Sequence, residues 1–307
     1  MMRLFPRWLV VLASLGIGVH AGCAARSGLP PLPPLNDPAT DTRLPGKFVW
    51  ADMFSSDVSG ARRFYGQLFG WDWRWISERP GHRYGIFTNG GAAVAGLAQV
   101  EAPDAQETYA RWVHYISVED VAAAVSGAEG RGGRVMVRPH DIADRGEFAV
   151  LADAEDAPFG VMRSSSGDPG DFRAVIGQWL WIGLFARDAA AAAKFYGALF
   201  GYEVFSRDDD SEVIDYVLAE SGHSRAGIAQ LGAASEAEPV WLGYVRVDDL
   251  AAALEKVRTL GGEVLWESGV GDSRGELAIV EDPLGAPIGL MQWTFPEPDE
   301  ARVKARP

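Results

Sequence analysis

The sequence has a single cysteine, Cys23, and few basic residues for its length of 307. One cysteine excludes an intramolecular disulfide, so the fold must be stabilised by packing alone. The 28 lysines and arginines are outnumbered by 42 acidic residues, which gives a formal net charge of −14. A charge of this sign argues against nucleic acid and against anionic lipid headgroups as binding partners.

The apolar run near the N-terminus is too short to span a bilayer as a helix. It covers residues 8 to 19, follows two arginines, and resembles the hydrophobic region of a secretory signal peptide. Two cleavage sites are compatible with it. One follows Ala21, as in ordinary secretion, and the other precedes Cys23, where the sequence resembles a bacterial lipobox with His20 in place of the usual aliphatic residue.

A Pro-rich stretch from Leu29 to Pro38 follows the cysteine and is typical of an extended tether. We therefore assign residues 1–22 to a signal peptide and residues 23–45 to a Pro-rich tether. The expected location is the bacterial cell envelope, with Cys23 lipidated and serving as the membrane anchor. Secretion as a soluble or periplasmic protein is the alternative.

The rest of the chain is an internal duplication. The segment FYGQLFGW at 64–71 returns as FYGALFGY at 195–202, a displacement of 131 (195 minus 64), and WVHYISVED at 112–120 returns as WLGYVRVDD at 241–249, a displacement of 129 (241 minus 112). Solenoid repeats are far shorter, so whole domains are duplicated. The predicted boundaries are 46–165 for domain 1, 166–177 for a linker, 178–294 for domain 2, and 295–307 for a flexible tail.

Each domain is predicted to contain two modules of order βαβββ. In the first module a β-branched and aromatic run from residue 48 to 54 precedes Asp57, a helix N-cap, and apolar residues at helical spacing then run to Gly70. Strand-like segments separated by Gly-rich turns follow. In domain 2 the turn that begins at Asp282 has the residues of a type I turn, and in domain 1 Asp156 stands where that turn has glycine, a position that aspartate tolerates.

This module order, the FYGxLFGW helix end and the Asp-Pro-Leu-Gly turn at 282–285 resemble the vicinal oxygen chelate superfamily over residues 46 to 293. That superfamily includes glyoxalase I, extradiol dioxygenases and bleomycin-resistance proteins. The resemblance implies an α+β fold, a tandem duplication of a glyoxalase-like domain in which two βαβββ modules form a curved sheet around a cavity. It leaves the reaction open, because one scaffold hosts isomerases, dioxygenases and binding proteins.

Metal-dependent members of this superfamily bind their ion through the first and last strands of each module, and the matching positions here can be checked. They are Trp50, Gly96, Val113, Gly160, Trp181, Gly227, Leu242 and Gly289. None of these side chains can coordinate a metal. We therefore expect no metal and no other cofactor, and we assign no catalytic residue.

Strand alternation predicts which side chains face each cavity. The expected cavity-facing residues are Phe48, Trp50, Asp52, Val113, Tyr115 and Ser117 in domain 1, and Trp179, Trp181, Gly183, Leu242, Tyr244 and Arg246 in domain 2. His114 falls on the opposite, helix-facing side. Among the cavity-facing residues the candidate ligand-binding set is Trp50, Asp52, Tyr115, Trp181, Tyr244 and Arg246. The alternative is that the tryptophans plug a sealed core.

Three functions remain compatible with the sequence. The first is metal-independent binding or sequestration of a small molecule, as in the bleomycin-resistance branch. The second is a lyase, isomerase or oxidoreductase of the glyoxalase or dioxygenase type with a non-standard site. Such a site would use either a metal held by other residues or acid–base chemistry by Asp52, Tyr115 or Arg246. The third is a structural or interaction lipoprotein with vestigial clefts.

Overall fold

A computed structural model describes residues 31–102, 108–206, 214–268 and 276–295. The predicted signal peptide, the lipidation site at Cys23 and most of the predicted tail lie outside these residues. Among the described residues, no helix is long and apolar enough to cross a membrane.

Domain 1 contains two successive βαβββ modules, as the sequence predicts. The first comprises β1 (Phe48–Ser55), α1 (Val58–Phe69), β2 (Asp72–Arg79), β3 (His82–Asn89) and β4 (Ala92–Gln99). The second comprises β5 (Ala110–Ser117), α2 (Val121–Glu129), β6 (Arg134–Ile142), β7 (Gly146–Ala152) and β8 (Pro158–Ser164).

Domain 2 repeats this order. Its first module comprises β9 (Trp179–Ala186), α3 (Ala189–Phe200), β10 (Glu203–Ser206), β11 (Tyr216–Glu220) and β12 (His223–Gln230). Its second comprises β13 (Val240–Val247), α4 (Leu250–Thr259), β14 (Glu263–Glu267), β15 (Glu276–Glu281) and β16 (Pro287–Gln292). The predicted α+β tandem duplication is confirmed.

An aspartate caps the start of each helix. The Oδ1 atoms of Asp57, Asp120, Asp188 and Asp249 accept the backbone N–H three residues later at 2.8–2.9 Å. These bonds satisfy a backbone donor that the helix itself leaves unpaired. Helix α1 ends at Gly70, which adopts the left-handed conformation with φ 72°.

Each domain forms one eight-stranded mixed sheet. The strand orders are β2-β3-β4-β1-β5-β8-β7-β6 and β10-β11-β12-β9-β13-β16-β15-β14. The first strands of the two modules pair antiparallel at the centre, β1 with β5 and β9 with β13. The modules thus pair within a domain, a point that the sequence left undecided.

The two domains bury their helical faces against each other. Helices α1 and α4, from different domains, contact each other and share one apolar cluster with strands of both sheets. Helices α2 and α3 do the same in a second cluster. The opposite face of each sheet therefore remains available for a cleft.

The tyrosine of the repeated FYG segment joins the two domains. The Tyr65 hydroxyl donates to Asp282 Oδ2 at 3.0 Å and accepts from Trp112 Nε1 at 3.0 Å. The second domain returns the same arrangement: Tyr196 donates to Asp153 Oδ2 at 2.9 Å and accepts from Trp241 Nε1 at 2.8 Å. Burial raises the pKa of Asp282 and of Asp153, and the hydrogen bonds to each carboxyl oppose that rise.

The turn that begins at Asp153 closes although glycine is missing from it. Asp156 adopts φ 67°, so the prediction that aspartate tolerates this left-handed position is confirmed. Asp153 Oδ1 accepts the backbone N–H groups of Glu155 and Ala157, each at 2.9 Å. The turn therefore holds the carboxyl group that Tyr196 binds.

Residues 31–45, which we call the N-terminal strap, do not form a free tether. Asn36 Nδ2 donates to the Gly167 carbonyl at 2.8 Å, and the Leu44 backbone N–H donates to Asp168 Oδ2 at 2.6 Å. Leu32 and Leu35 pack against an apolar cluster of domain 1. The predicted tether is therefore wrong for this part, because its backbone groups and leucines find partners on the domain surface.

Candidate functional site

The larger cleft lies on the face of the domain 1 sheet away from the helices, with a cavity volume of about 70 Å³. Its walls are mostly aromatic, and its polar groups converge at the centre. The side chains used below are Trp50, Asp52, Tyr84, Tyr115, Arg145 and Phe148. Leu32 of the N-terminal strap also lines this cleft.

Asp52 is the polar centre of the cleft. Its Oδ1 atom accepts from Trp50 Nε1 at 2.9 Å and from the Tyr84 hydroxyl at 2.7 Å. The side chain is only partly buried, so a ligand can reach it. Desolvation raises the pKa of Asp52, while the hydrogen bond from Tyr84 and the positive charge of Arg145 act in the opposite direction.

Arg145 reaches the cleft from the turn between β6 and β7. Its guanidinium carbon lies 4.3 Å from the centroid of the Trp50 ring, a cation–π arrangement. The residue is 2% exposed, and its Nε and Nη1 atoms have no hydrogen-bond partner among the described residues. A buried cation with unpaired donors is costly, so this group calls for an anionic or acceptor partner.

Sequence reasoning missed Tyr84 and Arg145. Strand alternation along β3 could have found Tyr84, because Tyr84 and Ile86 face the same apolar cluster as Trp50 and Tyr115. No local signal marks Arg145, because its sequence context, Ala-Asp-Arg-Gly, is that of an ordinary exposed turn.

Side chains occupy the space where the superfamily places metal ligands in domain 1. A β-carbon at Gly96 would overlap the Asp52 carboxylate and the Tyr84 hydroxyl, and one at Gly160 would overlap the Tyr115 ring. These two glycines therefore make room for the side chains of Asp52, Tyr84 and Tyr115. Among the described residues, no group of three or more His, Cys, Asp and Glu side chains could hold a metal ion. This donor set does not fit the divalent metal of the superfamily.

The cleft of domain 2 is smaller and apolar, with a volume of about 40 Å³. Trp181 and Tyr244 line it, and the Tyr244 ring fills the space beside Gly289. Gly183 stands where domain 1 has Asp52, at a displacement of 131 (183 minus 52). Because no charged side chain of the described residues lines this cleft, the two domains are not equivalent sites.

The structure brings together five of the six predicted ligand-binding residues, three in the first cleft and two in the second. Arg246 is the exception. It donates to the backbone carbonyls of Trp293 at 3.0 Å and Ala174 at 2.9 Å, and it lies 5.0 Å from the Phe295 ring. Arg246 therefore fastens the linker to the end of domain 2. It does so because the end of β13, on which Arg246 lies, is beside the linker and not beside the cleft.

Two residues expected to face the clefts lie on the helical side. The pairing register shifts between Phe48 and Trp50, and β9 shows the matching irregularity next to Trp179. Phe48 packs 5.0 Å from the Trp241 ring, and Trp179 donates from Nε1 to the Val94 carbonyl of the other domain at 2.8 Å. A β-bulge adds one residue and reverses the alternation beyond it, so the predicted face was wrong for both.

His114 lies on the helix-facing side, as predicted. Its ring is stacked on Trp112 and meets Trp179 edge-on, with centroids 6.5 Å and 5.2 Å away. It is 2% exposed, and its Nε2 atom has no hydrogen-bond partner among the described residues. Burial lowers the pKa of His114 to about 3.

Two eight-stranded sheets, each built from two βαβββ modules with a cleft on its free face, define a tandem glyoxalase-like protein. The profile of the Glyoxalase/Bleomycin resistance protein/Dioxygenase superfamily matches residues 47–162, and that of the Glyoxalase-like domain matches residues 181–291. The chain belongs to this superfamily, which is the vicinal oxygen chelate superfamily that the sequence resembles.

Relatives with known names and solved structures agree with this assignment. The chain is 30% identical over 259 residues to "Anthracycline biosynthesis protein DauV" of Streptomyces sp. (strain C5), covering 81% of this chain and 94% of that protein. Its fold is similar to that of a Mn(II)-bound glyoxalase from Novosphingobium aromaticivorans, with TM-score 0.56 and 17% identity over 81% of this chain and 82% of that one. It is also similar to homoprotocatechuate 2,3-dioxygenase from Brevibacterium fuscum, with TM-score 0.55 and 13% identity over 86% of each chain. At these identities the solved structures support the fold alone.

Proposed function

We propose that the protein binds a flat, mostly apolar small molecule in the domain 1 cleft without using a metal. The observation that carries this proposal is the cleft itself, in which aromatic walls surround a partly exposed carboxyl group and a buried guanidinium. Such a combination of apolar area and few placed polar groups is typical of small-molecule sites. A vestigial cleft would have no reason to keep a buried arginine with two donor nitrogens that lack partners among the described residues.

The relatives support the same chemistry. One relative is named for anthracycline biosynthesis, and anthracyclines are polycyclic aromatic compounds, which are flat and largely apolar. The bleomycin-resistance branch of the superfamily provides a precedent for binding or sequestering a small molecule. Aromatic stacking would add about 0.5 to 1.5 kcal/mol per ring pair beyond the burial of apolar area.

A matched pair of variants tests the site. Polycyclic aromatic probes that raise the melting temperature of the full chain are identified first, and their affinities are measured by calorimetry. Trp50→Ala should weaken binding, whereas Trp181→Ala, the equivalent change in the smaller apolar cleft, should leave it unchanged. Equal effects of the two variants, or unchanged affinity in Trp50→Ala, would contradict a site in domain 1.

Metal dependence is tested separately. A metal bound only by the native state adds stability by mass action, so its removal lowers the melting temperature. We expect chelator treatment to leave the melting temperature unchanged and metal analysis to find no stoichiometric Mn, Fe, Ni or Zn. Recovery of about one tightly bound transition metal per chain would refute the proposal.

Proton transfer to or from the bound molecule is a second candidate function. It is favoured by Asp52, a carboxyl group of raised pKa that faces the cleft and accepts a hydrogen bond from the Tyr84 hydroxyl. Asp52→Asn keeps the shape and removes the titrating group. If the protein is an enzyme, mass spectrometry should show conversion of a bound probe by the wild type and none by this variant, with binding retained.

We further propose that the protein is exported and anchored to the bacterial cell envelope through lipid on Cys23. The support is the signal-like N-terminus and the position of the single cysteine. Cys23→Ala should release the protein from membranes. A variant that fractionates as the wild type, with an intact mass that starts at Gly22, would show ordinary secretion instead.

A further inference from the structure

Binding of an apolar molecule does not explain why Arg145 lies in the domain 1 cleft. Its backbone closes the β6–β7 turn, donating N–H to the Ile142 carbonyl at 3.1 Å and accepting from Ser165 at 3.0 Å. The turn therefore fixes where the side chain starts, and the Trp50 ring fixes where it ends. A surface turn arginine would extend into water, whereas this one is 2% exposed.

The Asp52 carboxyl group interacts electrostatically with this guanidinium but does not satisfy all of its donors. Nε and Nη1 have no hydrogen-bond partner among the described residues. The oxygen atom Oδ1 of the nearby Asp52 already accepts from Trp50 and Tyr84. A guanidinium presents a planar fork of donors that matches a carboxylate or another oxyanion better than any neutral group.

We propose that the ligand of the domain 1 cleft is an aromatic acid, whose carboxylate or ionised phenol pairs with Arg145 while its ring system occupies the aromatic walls. This inference rests on the proposed binding function and names the class of molecule bound. The domain 2 cleft, which no charged side chain of the described residues lines, would not bind such an acid. The net negative charge of the chain makes a local cation the necessary recognition element for an anion.

The test compares an acid with its uncharged isostere. Anthraquinone-2-carboxylate and anthraquinone-2-carboxamide have nearly the same shape, and calorimetry on the full chain measures both affinities. Hydrogen bonds to a charged group correspond to about 10-fold to 100-fold in affinity, so the carboxylate should bind more tightly by at least about 10-fold. This comparison uses the wild-type protein and does not depend on any variant folding.

Two variants then locate the effect. Arg145→Met removes the charge and should abolish the preference for the acid. Arg145→Lys keeps a charge but lacks the planar donor fork of the guanidinium, so it should retain part of that preference. Thermal unfolding of both variants shows whether they are folded. A folded Arg145→Met protein that keeps the full preference would overturn the assignment of Arg145.

The outcomes separate this inference from the function on which it rests. If acid and amide bind the wild type equally, the site binds flat aromatic molecules and the anionic class is wrong. If the amide binds more tightly, the class is wrong in the same way. If neither probe binds, and no other polycyclic aromatic acid or amide does, both the inference and the proposed function fail.

Discussion

The most specific physical prediction concerns His114, which lies between the two domains. Its imidazole is buried against Trp112 and Trp179, and a β-carbon on Gly243 of the other domain would press against it. Desolvation lowers its pKa from the ordinary value of 6.5 to about 3. The folded protein therefore keeps this histidine neutral over a pH range in which the unfolded chain protonates it.

The sign and size of the effect follow from proton linkage. Between the folded and unfolded pKa values the unfolded state binds more protons, so stability is full above pH 6.5 and falls as the pH drops toward 3. Each pH unit inside this window corresponds to about 1.4 kcal/mol. Going from about pH 7.5 to about pH 4.5 should therefore remove about 2.5 kcal/mol from the free energy of unfolding through this one group.

Urea unfolding of the wild type and of His114→Leu at a series of pH values measures this effect. Buried carboxyl groups of raised pKa, such as Asp153 and Asp282, contribute with the opposite sign, so the difference between the two proteins is the informative quantity. His114→Leu should gain about 2.5 kcal/mol relative to the wild type as the pH falls through this range. Ile116→Val, a buried change on the same strand, is the control. It should lower the free energy of unfolding by an amount that does not change with pH.

A pH-independent difference between wild type and His114→Leu would refute this reasoning. It would mean that the imidazole takes up its proton over the same pH range in the folded and the unfolded state, and therefore that the two domains do not enclose it as the structure shows. Parallel profiles would thus count against the buried domain interface itself.

Two further predictions concern the interface and the cleft. Tyr65→Phe leaves the buried Asp282 carboxyl and the Trp112 N–H without their shared partner, so the free energy of unfolding should fall by about 1 to 3 kcal/mol in denaturant unfolding. Gly160→Ala places a methyl group against the Tyr115 ring. It should lower the free energy of unfolding by about 1 to 3 kcal/mol, as measured by calorimetry.

Each of these has a control within the chain. Tyr196→Phe removes the equivalent hydroxyl of the other domain and should cost a similar amount, so a loss confined to one tyrosine would contradict the paired arrangement. Gly170→Ala is the control for the glycine, since a β-carbon there meets nothing within 4 Å. Equal stability of the two glycine variants would show that Tyr115 does not fill the space beside Gly160.

The sequence alone determined the features that depend on local pattern. The duplication, the βαβββ order, the aspartate caps and the left-handed Asp156 follow from residue spacing and from backbone preferences that act within a few residues. The placement of Trp50, Asp52 and Tyr115 in one cleft follows from strand alternation, and so does His114 on the helical side. These features need no knowledge of which strand lies beside which.

The tertiary structure alone decided what depends on contacts between distant segments. The register shifts that turn Phe48 and Trp179 to the helical side arise from strand pairing, which the period of one strand does not record. Arg145 enters the cleft from an ordinary turn because its two flanking strands, β6 and β7, lie at one edge of the same sheet that contains Trp50. The N-terminal strap is held by partners more than a hundred residues away, such as Asp168. Local sequence determines the backbone conformation and the side of a strand on which each side chain lies. The partners of a polar group depend instead on the packing of the whole chain.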